Sequence, residues 1–515
     1  MNLISRMFPG ANGDGPQRRD PTPPLAVSPL AHRFVFALIA ALAMLAPLNA
    51  WSVSVSAQDS TLQPAPPSIR WNDCQQEGFE TSRCGTISVP VHWSQPDGET
   101  VDLAVVVRPA DDPSTRIGAL LLGNARGGSA IEQLRLGLVS GAIVGASITS
   151  YDLVAVDPRG VGQSSPLDCG RPQRTAGVTY TPQDIQEFEA MVADNQALAS
   201  ACAAGVGNPL AGLDLETSAR DLDAVRAALG EEQITVYGIE HTTLVSRTYA
   251  RMFPERVRGI ILDTAVDDSL TVSQRLASEA VAVETGLMRF AEWCDSSTDC
   301  ALHGQDVLAT FDAIVEQADE TPIPAGDHPP LTGYDVRRST QEHLVFRVAW
   351  SGFAAALAQA ANGDGTALTV SPDGTLVPLQ EHVVGCMTTP AGVSTLEELR
   401  ALEQMAWRLA PHTGGATRAW DVLAGCIGWP DRPVELDSGD PVDGIPPALF
   451  LESTHNTLAA YESGFSLAEQ FPDSRVLSRE GDEYSLVVWS SCIATAFDDY
   501  LMSGQLPPPG AICLD

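Results

Sequence analysis

The residues best placed to do chemistry in this chain are Glu240 and His241, inside the run Ile234-Thr235-Val236-Tyr237-Gly238-Ile239-Glu240-His241-Thr242. Ile234 to Tyr237 reads as a short buried strand, and Leu244 to Met252 as a helix. A sharp turn between such a strand and helix lifts one side chain above the sheet, which is how a G-x-S-x-G motif presents a nucleophilic serine. Here Gly238 is kept, Glu240 takes the serine position, and Thr242 takes that of the second glycine. A carboxylate can be a nucleophile, but the ester it forms must then be opened by water under the control of a base. The context is hydrolytic; the central residue is not a hydroxyl.

A base is hard to find. The chain has nine histidines, the last of which is His455, so none lies between Asn456 and Asp515. His241 follows Glu240 directly, a position usually filled by packing. His455 lies in a loop after an apolar strand and reads first as a solvated residue. Asp263 ends another strand, where an aspartate is more often a cap than a displaced catalytic acid. Ser129 sits in the Gly-rich loop Gly123-Asn124-Ala125-Arg126-Gly127-Gly128-Ser129 with no evident base beside it. Arg126 and Glu240 fall on loops that would meet at the top of a sheet, so an Arg126–Glu240 ion pair is expected, filling the pocket.

The elements that must position these residues alternate. Gly85–Val91 and Val101–Arg108 read as an opening hairpin around Gln95-Pro96-Asp97-Gly98. Ile117–Leu122, Tyr151–Val156, Ile234–Tyr237 and Val257–Leu262 are unbroken apolar runs, separated by helical periodicity at Ile185–Ala204 and Thr217–Leu229. Doubly buried strands alternating with helices predict an α/β fold with a mostly parallel central sheet. From Ser269 to about Pro446 the strand rhythm stops, and helices are expected at Leu276–Trp293, Val307–Ala318, His343–Ala361 and Leu396–Ala410. Pro447–Leu451 and Ser474–Leu477 then read as the last strands, and Cys492–Leu501 as a closing helix. The expected organisation is a core over 70–268, an inserted helical cap over 269–446, and a return to the core over 447–515.

The chain of 515 residues carries a net charge of −35, with arginine as its only basic residue besides histidine. That charge argues against nucleic acid and anionic membrane surfaces as partners. His32-Arg33, the apolar run Phe34–Leu48 and the small residues Val55-Ser56-Ala57 predict a signal peptide or membrane anchor over 1–57, followed by a linker over 58–69. A membrane is therefore expected as a partner only through that anchor. Ten cysteines fit an exported protein with disulfides. Their proximity in sequence suggests the pairs Cys74–Cys84, Cys169–Cys202, Cys294–Cys300, Cys386–Cys426 and Cys492–Cys513. No C-x-x-C or Cys/His cluster suggests a metal, and no cofactor is expected.

Several segments resemble the secreted tripeptidyl-aminopeptidase-like α/β-hydrolases of the proline-iminopeptidase clan. Tyr151 to Ser164 is similar to their D-P-R-G-x-G-x-S segment, Cys426-Ile427-Gly428-Trp429-Pro430 to a C-x-x-W-P element, and Tyr500-Leu501, Gly504, Leu506-Pro507 and Cys513 to their C-terminal stretch. The resemblance covers roughly residues 70 to 515 and implies the α/β-hydrolase fold. It also implies where a Ser, Asp and His triad would stand, and there this chain has Glu240, Asn456 and Tyr484. The oxyanion loop departs as well, with Arg126, Gly127 and Gly128 in place of the family's N-P-G-G-P-G-G run. The reading is therefore an exported, non-catalytic member binding a peptide or small-molecule ligand. The alternative is an active peptidase or esterase using remodelled residues such as Glu240 and His455.

Overall fold

The computed structural model describes residues 67–124, 128–143, 145, 149–175, 177–204, 210, 212–369, 379–388, 392–430 and 439–515. The expected signal or anchor, most of the linker, and Arg126 and Gly127 lie outside them.

Among the described residues ten strands form one sheet. β1 (Ile69–Asn72), β2 (Arg83–Pro90) and β3 (Thr100–Arg108) open it as antiparallel neighbours. β3 pairs antiparallel with β5 (Tyr151–Val156), and every later pairing is parallel. The order is β1-β2-β3-β5-β4-β6-β7-β10-β11-β12, with β4 (Gly118–Leu122), β6 (Ile234–Ile239), β7 (Val257–Asp263), β10 (Leu449–Ser453), β11 (Arg475–Arg479) and β12 (Ile512–Cys513). Apolar clusters cover both faces of the sheet, which explains the unbroken apolar runs of β4 to β7.

Between β7 and β10 the chain is mostly helical, as expected, with several departures, among them two helices not expected, Leu379–Thr388 and Arg418–Cys426. A two-stranded sheet, β8 (Ile323–Ala325) and β9 (His328–Leu331), stands where only loop was expected. The single helix expected over 343–361 is two, Gly333–Leu344 and Trp350–Ala360, joined by a 3₁₀ turn. The Trp350 indole N–H donates to the Leu344 carbonyl at 3.2 Å, so the side chain satisfies an acceptor that a continuous helix would have used. Two further corrections concern the core. Ile69 already belongs to β1 rather than to a linker, and β12 follows the strand expected to be last. β12 is only two residues long, too short to show a period of its own.

The five disulfides are the five expected local pairs. One of them matters to the site: Cys386–Cys426 joins the helices Leu379–Thr388 and Arg418–Cys426 of the insertion. Closing that loop restrains the unfolded chain, so Cys386→Ser with Cys426→Ser is expected to remove about 2–5 kcal/mol of stability. Guanidinium unfolding of oxidised wild type against the double variant measures it, and an unchanged midpoint would contradict the pairing.

Candidate active-site cleft

β6 runs into the helix Thr242–Met252 through Gly238, Ile239, Glu240 and His241. Glu240 has φ of +49°, the left-handed region that a non-glycine residue adopts only under constraint. The constraint is visible. Glu240 N donates to Asp263 O at 2.9 Å, and Glu240 O accepts from Thr243 N at 2.9 Å and Thr243 Oγ1 at 2.5 Å. Gly238 is required, because a Cβ there would lie 2.5 Å from Ser246 Oγ and 3.1 Å from Thr243 Cα. Thr242 replaces the second glycine without a clash by turning its hydroxyl to Ile239 N (2.8 Å) and toward Asn124 O (3.1 Å). That hydroxyl occupies the space beside Gly123, whose own N–H is engaged by Tyr237 O at 2.6 Å.

The Glu240 side chain is buried, at 2% exposure. Its Oε1 lies 2.6 Å from His241 Nδ1 and 4.0 Å from Arg418 Nη1. Arg418 begins the helix Arg418–Cys426 of the insertion; its Nε donates to Glu381 Oε1 at 2.9 Å, and its backbone N–H to Gln341 Oε1 at 2.9 Å. The elbow carboxylate thus faces a guanidinium from the insertion, which is itself paired with Glu381. Burial opposes the charged form of His241, but the Glu240 carboxylate, with Glu381 further off, outweighs it and holds the imidazole pKa above its ordinary 6.5.

These groups line a cavity of about 170 Å³ between sheet and insertion, together with Asp267, Asp268, Arg275 and Glu279 and an apolar wall that includes Val266, Leu270, Val384 and Val422.

The other sequence candidates fall elsewhere. Gly128 carries a carbonyl that accepts from the Asn124 side chain, and Ser129 is the N-cap of Ala130–Ser140, also donating to Asp157 at 2.7 Å. Asp263 is fully buried at the end of β7, accepting from Tyr237 OH (2.8 Å), Leu486 N (2.8 Å) and Thr264 Oγ1 (3.0 Å); burial raises its pKa to about 6. It does not line the cavity. Neither does His455, whose Nε2 lies 2.8 Å from Glu480 and whose backbone N–H is tied to Gly481 O. The structure therefore does not bring His455 to Glu240. Asn456 is buried and closes its own loop, with Oδ1 accepting from Leu458 N (2.8 Å) and Ala459 N (3.1 Å). Tyr484 packs on Phe346 with ring centroids 5.0 Å apart.

One expectation needs correction. His241, read from sequence as packing, is a wall of the cleft and the nearest imidazole to Glu240. The expected Arg126–Glu240 pair is neither met nor overturned, since Arg126 lies outside the described residues; beside Glu240 the described residues add Arg418. Arg418, Glu381, Asp267 and Glu279 were all missed. Each is separated from Glu240 by at least 27 positions, and no local spacing links them.

The raised His241 pKa has a sign. A group that titrates higher in the folded state stabilises fully below its unfolded pKa, near 6.5, and that contribution fades as pH rises through the folded value. The melting-temperature gap between wild type and Glu240→Gln is therefore expected to be wider at about pH 5.5 than at about pH 9. An NMR titration should also show the His241 pKa falling in the variant. A gap that does not depend on pH would contradict the pairing.

Residues 142–307 match the family model "alpha/beta hydrolase fold", and residues 410–513 match "TAP-like protein". The chain is 25% identical over 480 residues to the serine protease Hip1 of Mycobacterium tuberculosis, covering 86% of this chain and 91% of that protein. It is 26% identical over 474 residues to the tripeptidyl aminopeptidase of Streptomyces lividans, covering 86% of each. It is 27% identical over 482 residues to carboxylesterase B of M. tuberculosis, covering 87% of this chain and 90% of the relative. The sheet order, the strained elbow and these matches together show that the chain has the α/β-hydrolase fold, and its C-terminal part is similar to TAP-like proteins.

Proposed function

We propose that this protein is an exported, non-hydrolytic member of its family that binds a peptide or small molecule in the cleft between sheet and insertion. One observation carries the reading: the side chain at the elbow is a carboxylate engaged by His241 at 2.6 Å and faced by Arg418 at 4.0 Å. A serine mechanism needs a hydroxyl there and an imidazole that takes its proton. The positions matched to the acid and the histidine are Asn456 and Tyr484, which close a loop and pack on Phe346. The cavity survives, with a few convergent polar groups on an apolar wall, which is the composition of a binding site. Five disulfides support export to an oxidising compartment.

The 2.6 Å contact favours one alternative, a remodelled hydrolase in which Glu240 attacks and the adjacent imidazole activates water. The names of the relatives, serine protease, tripeptidyl aminopeptidase and carboxylesterase, support a hydrolytic ancestry.

Purified protein on a panel of aminoacyl and tripeptidyl anilides and short-chain esters separates the two. The expected result is no turnover above that of Glu240→Ala. Turnover that vanishes in Glu240→Ala would establish the hydrolase and overturn the binding reading.

A further inference from the structure

Three residues of the cleft wall carry buried polar atoms with no hydrogen-bond partner among the described residues: Asp267 at Oδ2, Glu381 at Oε2, and Arg418 at Nη1, which faces Glu240 at 4.0 Å. The residues are 2%, 3% and 5% exposed. A buried charged group left partly unsatisfied costs more than a typical hydrogen bond contributes, so three around one cavity call for an occupant. They come from separate segments. Asp267 follows β7, Glu381 is in the helix Leu379–Thr388, and Arg418 opens the helix Arg418–Cys426. Together they offer two anionic acceptors and one cationic donor.

The charge around them is uneven. The lining carries Asp214, Glu240, Asp267, Asp268, Glu279 and Glu381 against Arg159, Arg275, Arg418 and His241, the last paired with Glu240. Arg159 is already committed to Asp221 at 2.5 Å, outside the cavity. The Arg247–Asp268 pair, at 2.6 Å, offsets only part of the remaining excess. Such a site favours an occupant with net positive charge. The apolar wall gives an aliphatic stem somewhere to lie. At about 170 Å³ the cavity holds far more than one water, yet it is smaller than the several hundred Å³ usual for a drug-sized ligand.

We infer that the cleft binds a basic α-amino acid, with its cationic groups on Asp267 and Glu381 and its carboxylate on Arg418. This rests on the binding reading above and names its ligand class.

Calorimetry of the intact oxidised protein with L-arginine and L-lysine tests it, with L-leucine and agmatine as comparisons. Arginine or lysine is expected to bind. Leucine, lacking the side-chain cation, and agmatine, lacking the carboxylate, should each bind about tenfold more weakly or worse. Asp267→Asn and Glu381→Gln should each weaken arginine binding by about tenfold. If Glu381→Gln fails to fold, Asp267→Asn alone carries the test. Absence of heat and of any melting shift at about 10 mM basic amino acid would mean that water alone occupies the cleft, and would overturn the inference. Agmatine binding as tightly as arginine would overturn the role of Arg418, and undiminished binding by Asp267→Asn would overturn that of Asp267. Turnover in the hydrolysis panel would sink the binding-only reading without bearing on these affinities.

Discussion

A left-handed backbone at one glutamate is the constraint on which the cleft depends. Holding a non-glycine residue at φ +49° costs on the order of 1–3 kcal/mol, so the surroundings must enforce it. They do so from both sides: β7 takes the Glu240 N–H through Asp263 O, and the following helix takes its carbonyl through Thr243. Gly238 allows the helix to come close enough, and Thr242 fills the room beside Gly123. A turn of this kind presents a side chain above the carboxyl edge of a parallel sheet. In this chain the side chain it presents is the carboxylate of Glu240.

A buried carboxylate at that point then imposes its own requirement, since an uncompensated charge there would be costly. The insertion meets it with Arg418, which in turn needs Glu381, and the Cys386–Cys426 disulfide ties together the two helices that carry them. Elbow and insertion are thereby coupled by charge as well as by packing. The tie between insertion and core is reinforced away from the cleft by Arg289–Asp482 at 2.9 Å and by the Gln341 side chain on Thr457 O at 2.7 Å.

The motifs that survive intact serve the scaffold. In the segment from Asp157 to Ser164, Asp157 accepts from Ser129 Oγ, Ile131 N and Gln163 N. Arg159 clamps Asp221 and the carbonyls of Pro90 and Val91, and Ser164 Oγ bridges Asp157 O and Ala104 N. Every one of these contacts holds a loop or a helix end in place. Their retention explains why the fold is recognisable, and it carries no information about turnover.

What the sequence determined by itself was whatever short-range pattern can encode. The apolar runs of β4 to β7 and the elbow Gly238-Ile239-Glu240-His241-Thr242 were legible because each is a property of neighbours along the chain, and the five cysteine pairs because each cysteine pairs with the next one in sequence. The absence of any histidine after His455 was legible as a plain count. Where local pattern was short or ambiguous, at β12 and in the split helix over 333–360, the reading slipped. The site itself was decided only by tertiary structure. Nothing near Glu240 in sequence announces Arg418 or Glu381, and nothing about His455 announces that its loop turns the ring to Glu480. Those outcomes depend on how a long insertion folds back over the sheet, and on which charges must pair once water has been excluded.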